Sequence, residues 1–351
     1  MAYTTINKST VHFNTKLYTG NGSTNNITGV GFKPDMNWCK TRTSGGYNHA
    51  VVDIVRGVTK IIRPNLIQPE ATFTNALTSF NSDGFSLGAD SNNEHNKNGD
   101  SFVSWNFKAG GSQGSSNTAG SINTAYTSVN TTAGFSISSY TGNGTAGATF
   151  GHGLGAIPSM VIVKKLDSGG ANRNWQVYHG SLAASKALEL NGSGGSFTAG
   201  NRWNSTAPTN TLFSLGNADE VNRNTSSYIA YCFTGKTGYS KFGTYKGNSD
   251  TDGAFVYTGF KVAFVLLKRT DGGDSWVMLD NKRNEFNPTN KRLLADSGGA
   301  ETTVTEADFF SNGFKLKQAG GLVNGNGNDH IYMAFAEAPL VGTNNVPATA
   351  R

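Results

Sequence analysis

The chain of 351 residues has little cysteine, little charge and no long apolar segment. Cys39 and Cys232 are its only cysteines, which is too few for a disulfide framework. No apolar run reaches the ~20 residues that a membrane-spanning helix requires, and the opening MAYTTINKST has no apolar stretch typical of a signal peptide. We therefore expect a protein that does not insert into membranes and is synthesised in a reducing cytoplasm.

Charged residues make up only 15% of the chain, and the formal net charge is +6. Basic and acidic residues are close to balance in each of the ranges 12–110, 134–236 and 238–338. Binding to nucleic acid needs a basic patch or stripe that can neutralise phosphates, and no segment carries a strongly basic block. The sequence therefore predicts no nucleic-acid partner.

Glycine and aromatic residues are abundant, with 45 Gly, 21 Phe and 12 Tyr. A disordered chain would be poor in aromatic residues and richer in charge, so this chain should fold. Asp-Gly and Asn-Gly pairs, as at Asp83 and Asn312, supply the positive φ that tight hairpin turns need. Many short strands joined by tight turns are expected, and the fold class is all-β.

One sequence unit occurs three times. The pentapeptide YTGNG and its relative YKGNS lie at Tyr18–Gly22, Tyr140–Gly144 and Tyr245–Ser249. A short apolar strand that ends in lysine follows each of them, at Met36–Lys40, Met160–Lys164 and Phe264–Lys268. We interpret the pentapeptide as the end of a strand and a turn, since an aromatic residue precedes a Gly-Asn-Gly reversal.

Two further landmarks recur in the same order. Asp53 and Arg56 match Asp280 and Arg283, while the middle copy has His179 in place of the aspartate. A closing strand ends each copy, and we align Phe102–Trp105, Tyr228–Tyr231 and Tyr332–Phe335. The Asp–Arg pairs are interpreted as surface ion pairs that support the fold.

The repeat length of about 100 residues exceeds the ~20–50 residues of solenoid repeats, so each copy should have its own core. We predict three tandem homologous β-sandwich domains of jelly-roll or lectin-like type, at 12–110, 134–236 and 238–338. The remaining segments are an N-terminal arm at 1–11, a Gly/Ser linker and connecting segment at 111–133, and a C-terminal tail at 339–351. The Gly/Ser-rich stretch Ala109–Gly120 is expected to be flexible.

The sequence contains few signs of chemistry. Gly110–Gly114 matches a nucleophile motif but lies in the linker, not at a strand-to-helix turn. Asn248–Gly253 resembles the start of a calcium loop, yet Gly259 replaces the bidentate glutamate, which leaves either a loose cation site or a polar turn. No catalytic residue, metal ligand set or cofactor site is predicted.

Tryptophan supplies the only candidate binding residues. Trp175 and Trp276 occupy matching places in their copies, and Trp203 lies in the polar segment RWNSTAP. Exposed aromatic rings can stack on sugars, so Trp175, Trp203 and Trp276 are predicted to bind a ligand. The alternative is that these rings are half-buried and serve packing.

Several longer segments carry a resemblance to a known family. They lie at Met1–Thr10, Tyr18–Ser23, Ile27–Asp35, Asp53–Gly57, Gly134–Gly144, Tyr257–Val265, Ile331–Glu337 and Val346–Arg351. Over nearly its whole length the chain resembles virion structural proteins of marine, cyanophage-like bacteriophages, of tail-fibre or tail-associated type with repeated lectin-like β-sandwich domains.

The resemblance implies a non-enzymatic virion protein, as a tail fibre or receptor-binding component on the tail or capsid surface, synthesised in the host bacterial cytoplasm. The alternatives are a capsid decoration protein and a carbohydrate-active tail enzyme of depolymerase type. The expected partners are other virion proteins through the N-terminal arm, a host surface glycan or protein, and further copies of the chain in a homo-oligomer.

Overall fold

A computed structural model describes residues 3–170, 173–342 and 347 of the chain. Strands account for 42% of it and helices for 4%, and the strands of the described residues pair with one another in antiparallel ladders. The all-β expectation is confirmed. None of the helices in the described ranges is long and apolar enough to cross a membrane.

The strands divide among the three copies of the sequence unit, which we call repeats 1, 2 and 3. Repeat 1 contains β1 (Phe13–Thr19), β2 (Asn25–Thr28), β3 (Met36–Thr41), β4 (Ala50–Asp53), β5 (Lys60–Ile61), β6 (Ala71–Thr72), β7 (Leu77–Asn81), β8 (Gly84–Leu87) and β9 (Ser101–Phe107). Repeat 2 contains β11 (Phe135–Thr141), β12 (Ala148–Gly151), β13 (Met160–Lys165), β14 (Gln176–His179), β15 (Lys186–Glu189), β16 (Phe197–Thr198), β17 (Leu212–Leu215) and β18 (Ser227–Phe233), preceded by β10 (Tyr126–Asn130).

Repeat 3 contains β19 (Ser240–Lys246), β20 (Phe255–Tyr257), β21 (Phe260–Arg269), β22 (Val277–Asp280), β23 (Thr289–Leu294), β24 (Thr302–Phe309), β25 (Gly313–Leu316) and β26 (Asp329–Pro339). The helices are single turns: a 3-10 turn at Ser9–Val11, α1 (Gly200–Trp203), α2 (Asp219–Asn222) and α3 (Gly321–Asn324).

All three repeats use the same order of strands in their main sheet. The orders are β1-β9-β3-β4, β11-β18-β13-β14 and β19-β26-β21-β22. The lysines at 40, 164 and 268 lie opposite Val103, Ile229 and Ile331, so the lysine positions are equivalent as predicted. The strand pairing therefore shows one topology used three times.

The same pairing corrects the alignment of the closing strand in repeat 3. Ile331 is the equivalent of Val103, so Met333 corresponds to Trp105 and the alignment of Phe335 with Trp105 was wrong by two residues. A slip of two residues keeps every side chain on the same face of a strand, which is why the pattern of alternation did not reveal it.

The central strand of each repeat is buried on both faces, as its continuous apolar run predicted. In β13, Met160 and Ile162 point into one apolar cluster, and Val161 and Val163 point into another. The second cluster lies between the main sheet and a smaller sheet of the same repeat, β12-β17, so each repeat has two layers. Repeats 1 and 3 have corresponding clusters of their own.

The other faces of the three main sheets meet in one common core. Phe107 of repeat 1 lies 5.6 Å from Phe135 of repeat 2 and 5.4 Å from Phe335 of repeat 3, ring centroid to ring centroid. Phe233 of repeat 2 lies 6.2 Å from Phe335. The repeats thus surround shared apolar side chains, and the division into three independent tandem domains stays a prediction.

The YTGNG turns are fixed by a buried asparagine that follows later in each repeat. The Asn222 amide group donates to Asn143 Oδ1, Thr145 O and Gly216 O, and its own Oδ1 accepts the Asn143 backbone N–H. Asn96 and Asn324 hold the other two turns in the same way. The interpretation of the pentapeptide as strand and turn is confirmed for all three copies.

The Gly/Ser segment between repeats 1 and 2 is bound along its length, so the expectation of flexibility was wrong. Gly111 N–H donates to Asp35 Oδ2 at 2.9 Å, and the Gln113 amide group donates to Val55 O at 2.7 Å. Further along, Ser115 forms a β-bridge with Thr127 of β10. The backbone groups that a free linker would leave to water are paired here with repeats 1 and 2.

The N-terminal arm packs on its own chain. The Tyr3 hydroxyl donates to Gly259 O at 2.7 Å and Thr4 Oγ1 donates to Thr237 O at 2.7 Å, both in or beside repeat 3. The Ile6 side chain is buried in the common core. The first two residues of the arm, and the tail segments 343–346 and 348–351 that include most of VPATAR, lie outside the described residues.

Candidate functional site

The repeats meet along three seams, and each seam contains an equivalent backbone hydrogen bond of 2.8 Å. The first seam joins repeats 1 and 2 through Glu70 N–H and Leu166 O. The second joins repeats 2 and 3 through Ser196 and Thr270, and the third joins repeats 3 and 1 through Glu301 and Arg42. Each acceptor lies two residues after the lysine that recurs in the three repeats, so the three hydrogen bonds occupy equivalent positions.

The first and third seams each contain a buried ion pair. Asp53 Oδ2 accepts Arg56 Nε at 2.6 Å and the Tyr231 hydroxyl of repeat 2 at 2.7 Å. Asp280 Oδ2 accepts Arg283 Nε at 2.6 Å and the Trp105 indole N–H of repeat 1 at 3.1 Å. Both aspartates are fully buried, so the expectation of surface ion pairs was wrong: these carboxylates hold one repeat to the next.

The second seam uses neutral groups at the same positions. His179 occupies the aspartate position and Met333 occupies the position of Trp105 and Tyr231. His179 Nδ1 accepts the Ser181 backbone N–H, which leaves Nε2 to donate to Tyr332 O at 3.3 Å. Burial lowers the pKa of His179 to about 4, so the ring is neutral at pH 7.

All three repeated lysines are buried, and two of them bond across a seam; Lys40 donates from Nζ to Thr41 O of its own repeat. Lys164 Nζ donates to Ile67 O of repeat 1 at 3.1 Å, and Lys268 Nζ donates to Ser193 O of repeat 2 at 3.0 Å. Burial lowers the pKa of Lys164 to about 7 and that of Lys268 to about 8. Their hydrogen bonds go to backbone carbonyls, which is a role in joining repeats.

The three tryptophans predicted to bind a ligand are all buried, so the exposed rings on which that prediction depended are not found. The Trp175 indole N–H donates to Arg63 O of repeat 1, Trp276 donates to Glu189 O of repeat 2, and Trp203 donates to Lys186 O within repeat 2. Each ring is at most 1% exposed and cannot stack on a sugar. The equivalence of Trp175 and Trp276 holds, and His49 takes the same place in repeat 1, with Nε2 at 3.0 Å from Leu294 O.

The segment that resembles a calcium loop is a set of turns. Asn248 Oδ1 accepts the Asp250 backbone N–H and Asp250 Oδ1 accepts that of Asp252, while the Asp252 carboxylate pairs with Lys315. Within the described ranges, no group of three or more His, Cys, Asp or Glu side chains is placed to hold a metal ion.

A groove runs along the outside of the second seam, and we call it the second-seam groove. It consists of two adjoining hollows of about 340 and 500 Å³ that share Ser159 and Phe242 as lining residues. Tyr3 and Tyr257 line one hollow together with Lys236 and Lys241, and the exposed Ile157 lines the other. No carboxylate is among the described residues that line either hollow.

The polar side chains of this groove are positioned by the neighbouring strands. Lys241, on β19, donates from Nζ to Tyr257 O at 2.7 Å, and its ammonium lies 5.2 Å from the centre of the Tyr257 ring. Burial and the neighbouring Tyr257 phenol raise the pKa of Tyr3 to about 12, so its hydroxyl keeps its proton and donates to Gly259 O. The groove can therefore offer ammonium groups, hydroxyls and aromatic faces, but no acid–base pair of carboxylates.

Sequence reasoning missed the seam donors, the groove and the asparagines that hold the turns. Only the asparagines had a usable signal, because each stands seven residues before the position equivalent to Val103. The groove had no such signal, since Tyr3, Ser159 and Tyr257 come from distant parts of the chain.

Comparison with known proteins gives one assignment. The comparison with curated proteins produced no match. A family model matches residues 8–339, which include all three repeats. The chain therefore belongs to the family described as a domain of unknown function (DUF7483).

Proposed function

We propose that the chain is a non-enzymatic structural protein of a bacteriophage particle, a tail fibre or receptor-binding component that acts at the particle surface by binding. The sequence resemblance of its repeats to tail-associated virion proteins supports this role. A body of three repeats around a common core also suits a part that must present a binding surface without changing shape.

The observation that carries the proposal is the location of the ionisable side chains, which differ between the interior of the seams and the open groove. The aspartates and arginines shared by repeats 1 and 3, together with Lys164 and Lys268, bond to other protein groups inside the seams. The open surface of the second seam instead carries cations and aromatic rings without a facing carboxylate. Glycoside cleavage requires a pair of carboxyl groups on either side of one sugar, so this groove is suited to binding.

Quantitative mass spectrometry of purified phage particles tests the proposal. A tail fibre or receptor-binding protein should be present in a few copies per particle, and antibody labelling in the electron microscope should mark the tail. Hundreds of copies on the capsid would favour the alternative of a decoration protein. Absence from particles would refute both.

A depolymerase is tested separately on the purified protein. We expect no release of reducing ends from host polysaccharide. Release that disappears when one carboxylate is replaced would overturn the non-enzymatic assignment.

Partners within the virion are part of the same proposal. A homo-oligomer and attachment through the N-terminal arm stay predictions, and the arm would have to bind a virion protein while Tyr3 and Thr4 contact repeat 3. Removing residues 1–11 and measuring incorporation into particles tests the arm, because full incorporation would exclude it as the anchor.

A further inference from the structure

The second-seam groove concentrates positive charge that the protein itself does not neutralise. Neither Lys236 nor Lys241 forms an ion pair with a described carboxylate, whereas Lys246 on the same strand as Lys241 pairs with Asp329. An ammonium has three donors, and Lys241 uses one of them on Tyr257 O. The groove therefore has charged donors available for an anionic ligand.

Aromatic surface lies beside these ammonium groups. The Tyr257 side chain is 48% exposed although it stands in a strand, and its neighbour Phe255 is 47% exposed. Lys241 lies against the Tyr257 ring, and the phenol of the arm residue Tyr3 lies beside that of Tyr257 in the same hollow. A flat, positioned ring next to a charged donor suits a ligand that has both an apolar face and an anionic group.

The groove at the first seam provides the contrast. It has a volume of about 380 Å³ and contains the exposed Tyr126, but its charged residues are already paired. Arg56 binds both Asp53 and Glu70, and the Asp167 carboxylate accepts the backbone N–H groups of Gly169 and Ser227. Both grooves thus contain an exposed tyrosine, but of the two only the second-seam groove contains lysines, Lys236 and Lys241, that form no ion pair with a described carboxylate.

We propose that the second-seam groove binds a segment of an anionic polysaccharide, with a sugar carboxylate on the Lys236 and Lys241 side and a pyranose ring against Tyr257. The six-membered ring offers C–H groups to the aromatic face, and the carboxylate accepts charge-assisted hydrogen bonds from ammonium. The exposed Thr237 lines the same hollow, and its hydroxyl can bond to a sugar hydroxyl. This inference deepens the proposed function by naming the ligand class of a surface-binding protein.

Isothermal titration of the full chain with two matched probes tests the ligand class. The probes are a hexamer of galacturonic acid and the same hexamer with every carboxylate methyl-esterified, which keeps the rings and removes the charge. We expect saturable binding of the acid form that weakens as salt is raised, and at least about tenfold weaker binding of the ester. Equal binding of both forms, or no binding of the acid form, overturns the proposal.

Matched variants test the location. Lys241→Met and Tyr257→Ala should each weaken binding of the acid hexamer by about tenfold or more. Lys246→Met removes a lysine from the same strand outside the groove, and Tyr126→Ala removes the exposed tyrosine of the first-seam groove; both should bind like the unaltered chain. Loss of binding in the two controls but not in the groove variants would refute the assignment.

Two further measurements keep the outcomes distinct. Thermal unfolding of every variant establishes that a loss of binding is not a loss of fold, and Lys241→Arg, which retains the charge, should keep most of the affinity. Failure to bind the hexamer would remove this inference and leave the virion assignment intact, since copy number in particles tests that assignment independently.

Discussion

The second seam differs from the first and third seams in the residues that connect the repeats, although all three seams use equivalent positions. In the first and third seams a buried aspartate receives a proton donor from the next repeat, Tyr231 in one and Trp105 in the other. In the second seam the residue at the donor position is Met333, and the aspartate position holds the neutral His179. A buried carboxylate is unfavourable unless its oxygens are hydrogen-bonded. Without a donor at position 333, an aspartate at position 179 would lack that hydrogen bond, so the two differences in the second seam depend on each other.

The arginine follows the same rule. Arg56 and Arg283 stand three residues after their aspartates, while the corresponding residue of repeat 2 is Leu182, which packs against the common core. The three positions of donor, acid and base have therefore changed as one set in the second seam. The comparison shows that the buried ion pairs connect neighbouring repeats, and that apolar residues can replace an ion pair at one of the three seams.

The largest expected effect is that of breaking a buried pair in the third seam. Asp280→Ala takes from the fully buried Arg283 its closest carboxylate, leaves it the longer 3.3 Å contact with Glu301, and leaves Trp105 without its acceptor. We expect the free energy of unfolding to fall by about 3–5 kcal/mol, the usual range for breaking a buried ion pair by removing one partner, with Glu301 keeping the loss towards the lower end. Chemical denaturation with urea measures this.

The matched control is the same truncation in the second seam. His179→Ala removes a neutral group with a long hydrogen bond of 3.3 Å, so it should destabilise the protein less than Asp280→Ala does. An equal or larger loss for His179→Ala would contradict the distinction between charged and neutral seams.

Sequence patterns were enough for the repeated topology but not for the seams. The lysine landmark located the central strand in every repeat, and the strand pairing confirmed it, because an apolar run that ends in one lysine is a local feature. The contact of Tyr231 with Asp53 joins residues far apart in the chain, and no local pattern specifies which outer faces of the sheets will meet.

The tryptophans show that the local sequence also failed to indicate which side chains are buried. Trp203 stands in a polar segment, which made exposure a reasonable expectation, yet the ring is buried and donates to Lys186 O. Polar neighbours along the sequence say little about burial when other strands of the repeat supply the cover. Contacts that depend on the packing of distant segments had to come from the structure.

The second prediction concerns acid stability and the neutral seam. Burial holds the pKa of His179 at about 4, below its ordinary value of 6.5, so the unfolded chain takes up a proton that the folded chain does not. As pH falls from 6.5 towards 4, this residue should remove about 1.4 kcal/mol of stability per pH unit, roughly 3 kcal/mol in all. Above pH 6.5 it should have no effect on the pH dependence.

His179→Gln isolates this contribution. The variant keeps a donor for Tyr332 O but does not titrate, so its stability should depend less on pH between 6.5 and 4 than that of the unaltered chain. His49 at the third seam, whose pKa burial lowers to about 3, titrates equally in both proteins and cancels in the difference. Parallel pH profiles for the two proteins would show that His179 is not the group responsible.

The third prediction removes only the donor from a charged seam. Tyr231→Phe deletes the hydroxyl that bonds to Asp53 Oδ2 and leaves Arg56 in place. We expect a loss of about 1.5–3 kcal/mol, the range for hydrogen bonds to a charged group. A double-mutant cycle with Asp53→Asn should give a coupling energy of at least about 0.5 kcal/mol, and strict additivity would mean that the two groups do not interact.

The smallest expected effect belongs to an ion pair on the surface, which tests whether burial is what makes the seam pairs matter. Lys246 and Asp329 approach to 2.6 Å, as close as Asp280 and Arg283, but their side chains are 65% and 58% exposed. Water solvates both charges before and after the pair is broken, so Lys246→Ala should change the free energy of unfolding by less than about 1 kcal/mol. Urea denaturation at low and at high salt measures the change, which should shrink further as salt screens the pair. If Lys246→Ala instead destabilised the protein as much as Asp280→Ala, the short distance and not the seam would be the source of the effect, and the contrast between charged and neutral seams would lose its physical basis.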